Sequence, residues 1–172
     1  MFIRQKNIEM DKYEKNFIQA YDIYADSIFR YCYFRVFSRE QAEDLTQDVF
    51  KKTWEYVAEG KEVKNFRPFL YRVASNLIID YSRKKKEVSL DKMQETGFQP
   101  SCEEKDKNII FDSKETVKMI QKLDEKYREA VTMRYVEELS PKEIADILGE
   151  TENVVSVRIH RGLEQLRKLA IK

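Results

Sequence analysis

The hydrophobic positions of this chain repeat at helical spacing. From Tyr13 onward, Phe17, Tyr21, Tyr24, Ile28 and Tyr31 fall three and four residues apart, which lines them along one helical face and predicts a core stripe. A second helix is announced by Ser38, whose hydroxyl suits the N-cap, and continues through Ala42, Leu45, Val49, Trp54 and Val57 until Gly60 stops it. The third starts near Phe66 and accommodates Pro68 in its first turn. It carries Phe69, Leu70, Val73, Leu77, Ile78 and Tyr81 before running into Arg83-Lys84-Lys85-Lys86. Three such helices can share one core.

From Glu87 to about Asn108 the pattern is lost: the segment is polar, holds Gly97 and Pro100, and includes the charged run Glu103 to Lys107. It reads as a flexible connector with a reach on the order of 25 Å. Beyond it, Val117, Ile120 and Leu123 mark one helix and Tyr127, Ala130, Val131 and Tyr135 another, with Asp124 placed as the cap between them. The expected fold is therefore all-α. Two small helical domains, 1–88 and 112–172, are joined by a linker at 89–111, and the second domain contains a helix-turn-helix.

Composition agrees with helices: charged residues make up 37% and hydrophobic residues 42% of 172, with only 4 Gly and 3 Pro. The net charge of +1 conceals segregation. Between Lys64 and Lys86 seven Lys or Arg face the single acid Asp80, and Arg158, Arg161, Arg167, Lys168 and Lys172 form a second basic cluster. Between Glu40 and Glu62 seven acids face three lysines. Patches of both signs point to more than one partner. Cys32 and Cys102 are the only cysteines, with no Cys-x-x-Cys and no clustered His, so neither a metal, a cofactor nor a redox role is supported. The N-terminus lacks the apolar core of a signal peptide and no run of about 18 apolar residues occurs, which predicts a cytoplasmic protein without membrane insertion.

The most informative stretch is LSPKEIADILGETENVVSVRIHRGLEQLRK, Leu139 to Lys168. Ser140 caps, Pro141 takes the first helical position, and Glu143 can complete a capping box. Ile144, Ala145 and Leu148 form the inner face, and Gly149 supplies the left-handed residue that ends the helix. The following helix, about Glu152 to Leu169, buries Val155, Ile159, Leu163 and Leu166 and presents Asn153, Ser156, Val157, Arg158, His160 and Arg161. Short helix, tight turn and basic helix suit the DNA major groove, which admits one helix whose N-terminal side chains reach base edges. An ordinary helical hairpin with a solvated basic face is the plainer alternative.

The segment NFRPFLYRVASNLIIDYSRKKK interleaves Phe66, Phe69, Tyr71 and Tyr81 with cations, as single-stranded nucleic acid binding requires, although periodicity assigns Phe69, Val73, Leu77 and Tyr81 to packing. The acidic helix REQAEDLTQDVFKKTWEYV presents Glu43, Asp44, Gln47 and Asp48, a surface suited to a basic protein partner or simply to solvent.

In this order the three segments resemble the extracytoplasmic-function RNA polymerase sigma factors of the sigma-70 family, over nearly the whole chain. The resemblance implies that Asp44, Leu45, Gln47, Asp48, Phe50 and Trp54 support docking on the β′ subunit of bacterial RNA polymerase core, by contact or by packing. The partners it implies are that core, with its β′ and β subunits, promoter DNA, and an inhibitory anti-sigma factor. It further implies that the loop Gly60 to Asn65 captures a flipped base of the downstream promoter element, with Lys64, Asn65, Asn76, Asp80, Arg83 and Lys84 on that surface. Asn153, Ser156, Val157, Arg158, His160 and Arg161 are implied to meet the upstream element. The chain departs from the family's usual recognition-helix start, carrying Val154, Ser156 and Val157 where Thr, a basic residue and Ser are common. Met1–Met10 precede the region of resemblance and read as an extension without order.

A second reading is an autonomous helix-turn-helix regulator whose N-terminal half senses a ligand or dimerises; the acidic and the basic aromatic helices count against it. An enzyme would need a convergent catalytic group. The lone His160 lies on the DNA-facing side and no Gly-rich phosphate loop occurs.

Overall fold

The computed structural model describes residues 2–93 and 114–170, with side chains described over 12–85 and 116–170, and every regular element among these is a helix. In order they are α1 (Phe2–Val36), α2 (Arg39–Ala58), α3 (Phe66–Met93), α4 (Lys114–Gln121), α5 (Glu125–Val131) running into a π-helical turn (Thr132–Val136), α6 (Pro141–Leu148) and α7 (Glu152–Ala170). Helix α1 begins well ahead of Tyr13, so residues 2–10 continue it instead of forming an unordered extension. Helix α3 runs to Met93, beyond the expected domain end at 88. The rest of the expected linker, with Gly97, Pro100, Cys102 and Glu103 to Lys107, lies outside the described residues.

Helices α1 and α2 meet at Phe37 and Ser38. Phe37 holds a left-handed backbone at φ 53°, which costs a non-glycine residue about 1–2 kcal/mol. Its N–H donates to the Tyr33 carbonyl at 2.7 Å. Its ring lies against Tyr33 and Phe34, and the Arg128 guanidinium covers it at 5.1 Å; these contacts offset the strain. Ser38 then caps α2, its Oγ accepting the Gln41 N–H.

Ile28, Tyr31 and Cys32 of α1, Leu45, Val49 and Phe50 of α2, and Leu70, Ala74 and Ile78 of α3 pack in one cluster with Ala130, Met133, Leu139, Ile144, Val155 and Ile159. The N-terminal and C-terminal halves therefore share a core. Burial pushes the Cys32 thiol up to about 12, which leaves it a small apolar core residue.

Several positions depart from simple periodicity. Tyr21 remains exposed, resting its ring on Phe50 at 4.7 Å. Tyr135 is exposed because the π turn widens the helix: the Glu137 N–H reaches back to the Thr132 carbonyl and the Leu139 N–H to that of Met133. The added residue rotates Tyr135 outward and Glu137 inward. On α6, Ile147 is buried where Leu148 was expected, and Leu148 is half-buried. Asp124 occupies the N-cap of α5 without a side-chain cap bond; its Oδ2 accepts from Gln165 Nε2 at 3.4 Å. Leu163 and Leu166 of α7 are half-buried.

Helix α7 crosses α5 at Gly162, where an added Cβ would lie 2.6 Å from Val131 Cγ2. Valine is stiff at χ1 and cannot swing away. Gly162→Ala is therefore expected to cost about 1–3 kcal/mol in urea unfolding; an unchanged midpoint would mean that the helices do not cross there.

Candidate nucleic-acid interface

The helix-turn-helix is built as its residues dictate. Ser140 Oγ accepts the Glu143 N–H, and the Glu143 carboxylate accepts the Ser140 N–H at 2.8 Å, a complete capping box. The Ser140 N–H and the Ser140 hydroxyl, both donating to that carboxylate, hold the Glu143 carboxyl below its ordinary value. Pro141 opens α6, and Gly149 closes it at φ 67°. Helix α7 buries Val155 and Ile159 against α6 and α5 and turns Asn153, Val154, Ser156, Val157, His160 and Arg161 to solvent. Arg158 is half-buried, its Nη2 donating to Glu150 Oε1 at 2.7 Å across the turn. His160 Nε2 lies 3.4 Å from Glu164.

On the N-terminal half, Asp44, Gln47 and Asp48 form an exposed ridge along α2, while Leu45 and Phe50 belong to the core. Trp54 is half-buried against Phe17 at 5.2 Å. Beyond that ridge, Lys52, Glu55, Tyr56 and Glu59 of α2 and the facing side of α3 line an open cleft of about 410 Å³. Tyr56 and Phe69 lie in it with ring centroids 5.0 Å apart, the Lys61 ammonium sits 5.1 Å over the Tyr56 ring, and Asn76 and Asp80 form its polar wall. Lys64, Asn65, Arg83 and Lys84 are exposed. Asn65 Oδ1 accepts the Arg67 N–H at the start of α3, and Arg83 pairs with Asp80 at 3.2 Å.

Two cations and one aromatic ring of the basic aromatic segment turn away from this surface. Arg67 donates to the Glu137 carbonyl at 2.8 Å and approaches Glu143, and Arg72 donates to the Asp146 carbonyl. Tyr71, 1% exposed, cannot serve as a stacking platform; its hydroxyl donates to Glu137 Oε2 at 2.7 Å. The Glu137 carboxylate also accepts from Arg30 Nε and Nη2. Burial raises its pKa, opposed by Tyr71 and Arg30. A proton is thus held more readily in the packed state than in water, and mild acid does not oppose this contact. Alongside it, Glu129 Oε1 accepts from Tyr31 and Ser75 and pairs with Arg35.

Arg30, Arg35, Glu129 and Glu137, which sequence patterning missed, and Tyr71, which it grouped with the stacking aromatics, set the halves against each other. The available signal was two arginines inside an aromatic-rich stripe of α1. Of the acceptors opposite them, Glu129 lies on α5 and Glu137 directly follows the π turn, which no periodicity announces.

Two family models match the chain, "Sigma-70 region 2" over residues 20–88 and "Sigma-70, region 4" over residues 113–166. The chain is 32% identical to the ECF RNA polymerase sigma factor SigW of Bacillus subtilis (strain 168), with 98% of this chain and 96% of that protein covered. It is 29% identical to the ECF RNA polymerase sigma factor SigM of the same organism, covering 88% of this chain and 93% of that one. Among solved structures, the sigma factor RpoE, in complex with the anti-sigma factor NepR from Bartonella quintana, shares the fold. The TM-score is 0.77 at 20% identity, over 91% of this chain and 97% of that one.

The shared carboxylate gives a direct test. Tyr71→Phe leaves Glu137 buried without its shortest hydrogen bond and is expected to cost about 1–3 kcal/mol. Replacing both as Tyr71→Phe with Glu137→Leu should recover part of that loss, because the buried hydroxyl and carboxylate go together and Arg30, 37% exposed, turns to water. A double-mutant cycle in chemical denaturation reads the coupling, and strict additivity would contradict the contact.

Proposed function

The chain belongs to the extracytoplasmic-function RNA polymerase sigma factors of the sigma-70 family, and from that premise we propose how its surfaces divide the work of starting transcription. The protein performs no chemistry itself. The ridge Asp44, Gln47 and Asp48 docks on a basic surface of the polymerase β′ subunit, with Leu45, Phe50 and Trp54 holding the ridge in shape. A surface of that charge repels DNA phosphate and attracts a cationic protein face. Helix α7 enters the major groove of the upstream element. The cleft between α2 and α3 receives a base extruded from the downstream element.

The observation that carries this reading is the opposition of charge in one chain: an exposed acidic ridge on α2 and an exposed, capped helix-turn-helix with Arg161 and His160 outward. In the cleft, Tyr56 and Phe69 supply π-faces and Asn76 and Asp80 supply polar edges, and the exposed Lys64, Arg83 and Lys84 are proposed to meet the backbone. Extruding a base costs a few kcal/mol, which stacking and cation contacts offset. The exposed cleft and ridge are not accounted for by an autonomous regulator.

The shared core adds a conformational step. Two elements set apart along DNA are reached together only if the halves part, so docking on polymerase opens the contact at Glu137. An anti-sigma factor that binds both halves would act by keeping it shut. The protein works where polymerase is, in the cytoplasm. Among the described residues no helix is long and apolar enough to cross a membrane.

Asp48→Arg is expected to weaken binding to core polymerase about tenfold or more while leaving thermal unfolding unchanged. Arg158→Ala and Arg161→Ala should spare core binding and lower promoter affinity, each reducing the salt slope by about one. Core binding by competition and promoter binding by the assembled holoenzyme separate the two effects; equal loss in both assays for all three variants would overturn the division of roles.

A further inference from the structure

The first two turns of α7 contain two side chains that neither the fold nor charge complementarity explains. Val154 and Val157 are 37% and 42% exposed, while the helix packs through Val155, Ile159 and Gly162. Only the Val154 backbone has a local role, its N–H donating to Thr151 Oγ1 at 3.4 Å. Exposed valine is a poor choice for a helix surface, because a β-branched side chain loses χ1 freedom there. Two such residues three apart stand side by side on the surface. Around them are Asn153, Ser156, His160 and Arg161, all exposed and polar, which is an apolar ridge within a surface otherwise fitted to DNA.

The major groove offers one apolar group, the C5-methyl of thymine. Cβ atoms at i and i+3 lie about 5–6 Å apart, a distance between one and two base-pair steps of about 3.4 Å. We propose that Val154 and Val157 read the methyl groups of two neighbouring thymines in the upstream promoter element, so that this chain's upstream element is fixed at two A·T pairs by apolar contact. The inference rests on the reading of α7 as the upstream-element helix. The polar residues on either side then serve register: Asn153 and Ser156 reach edges of adjacent bases, and Arg161 neutralises phosphate. Val157 had been expected on this face, but the pairing with Val154 and the group it would meet come from their joint exposure.

The test uses the full chain with core polymerase on a promoter that it transcribes, with each upstream thymine replaced singly by deoxyuridine, which removes only the methyl. Two positions are expected to lose about fourfold in promoter binding, the effect of one buried methyl group. Val154→Thr and Val157→Thr keep shape and exchange one methyl for a hydroxyl. Each should weaken binding to the thymine promoter by a similar factor and abolish the loss on methyl removal at one position, with core binding unchanged. Transcription indifferent to every deoxyuridine would overturn this inference and leave the sigma-factor reading intact. So would variants that weaken core binding instead, which would assign the valines to a protein partner. No promoter-dependent transcript on any template would overturn both.

Discussion

The Glu137 carboxylate is 5% exposed between α1, α3 and the π turn, and a charge withdrawn from water to that degree costs several kcal/mol unless its partners are in place. Those partners come from the other half of the chain: Arg30 from α1 and Tyr71 from α3. Satisfying it fixes the π turn, the π turn sets where Leu139 and the Ser140 cap lead into α6, and α6 orients the helix that follows. The position of the nucleic-acid-facing surface therefore depends on a polar contact more than 60 residues away in sequence. The same contact makes the packed state conditional, since an ion pair that is good only in one geometry is lost when the halves move apart.

The charge pattern makes sense in that frame. Arginines that sequence reasoning grouped into one basic surface serve two purposes. Arg67 and Arg72 face the C-terminal half, and Arg83 and Lys84 face solvent beside the cleft. Closing the halves engages Arg67 and Arg72 with the C-terminal half, Arg72 remaining exposed, while Arg83, Lys84 and Lys85 lie exposed toward the far end of α3. Opening would free Arg67 and Arg72 when the polymerase is already bound. A protein of nearly balanced charge can in this way limit non-specific DNA binding before it is loaded.

Much of the fold was legible in the sequence because it is local. Ser38, Ser140, Pro141, Glu143 and Gly149 act through neighbours within four residues, and each does in the structure what its type and position imply. Asn76, Asp80 and the loop that holds Lys61 were expected on one surface and line one cleft, whereas Tyr56, on the preceding helix, carries no periodic mark. What was not legible is non-local or irregular. Phe37 adopts a left-handed backbone that an aromatic residue normally avoids, Gly162 is required by a crossing helix, and the π turn exchanges Tyr135 for Glu137 on the buried face. Periodicity assumes a constant number of residues per turn, and at the π turn, where that number changes, it fails.

The central claim is that this chain confers promoter choice on polymerase. Run-off transcription with purified bacterial core polymerase on a pool of genomic promoter fragments, with and without the protein, tests it most directly. The account predicts discrete transcripts that arise only when the protein is present and that start at a common distance from related sequence elements. Core polymerase that gains no initiation, while the protein alone still binds specific duplexes, would contradict it and make the chain a regulator that acts on DNA by itself.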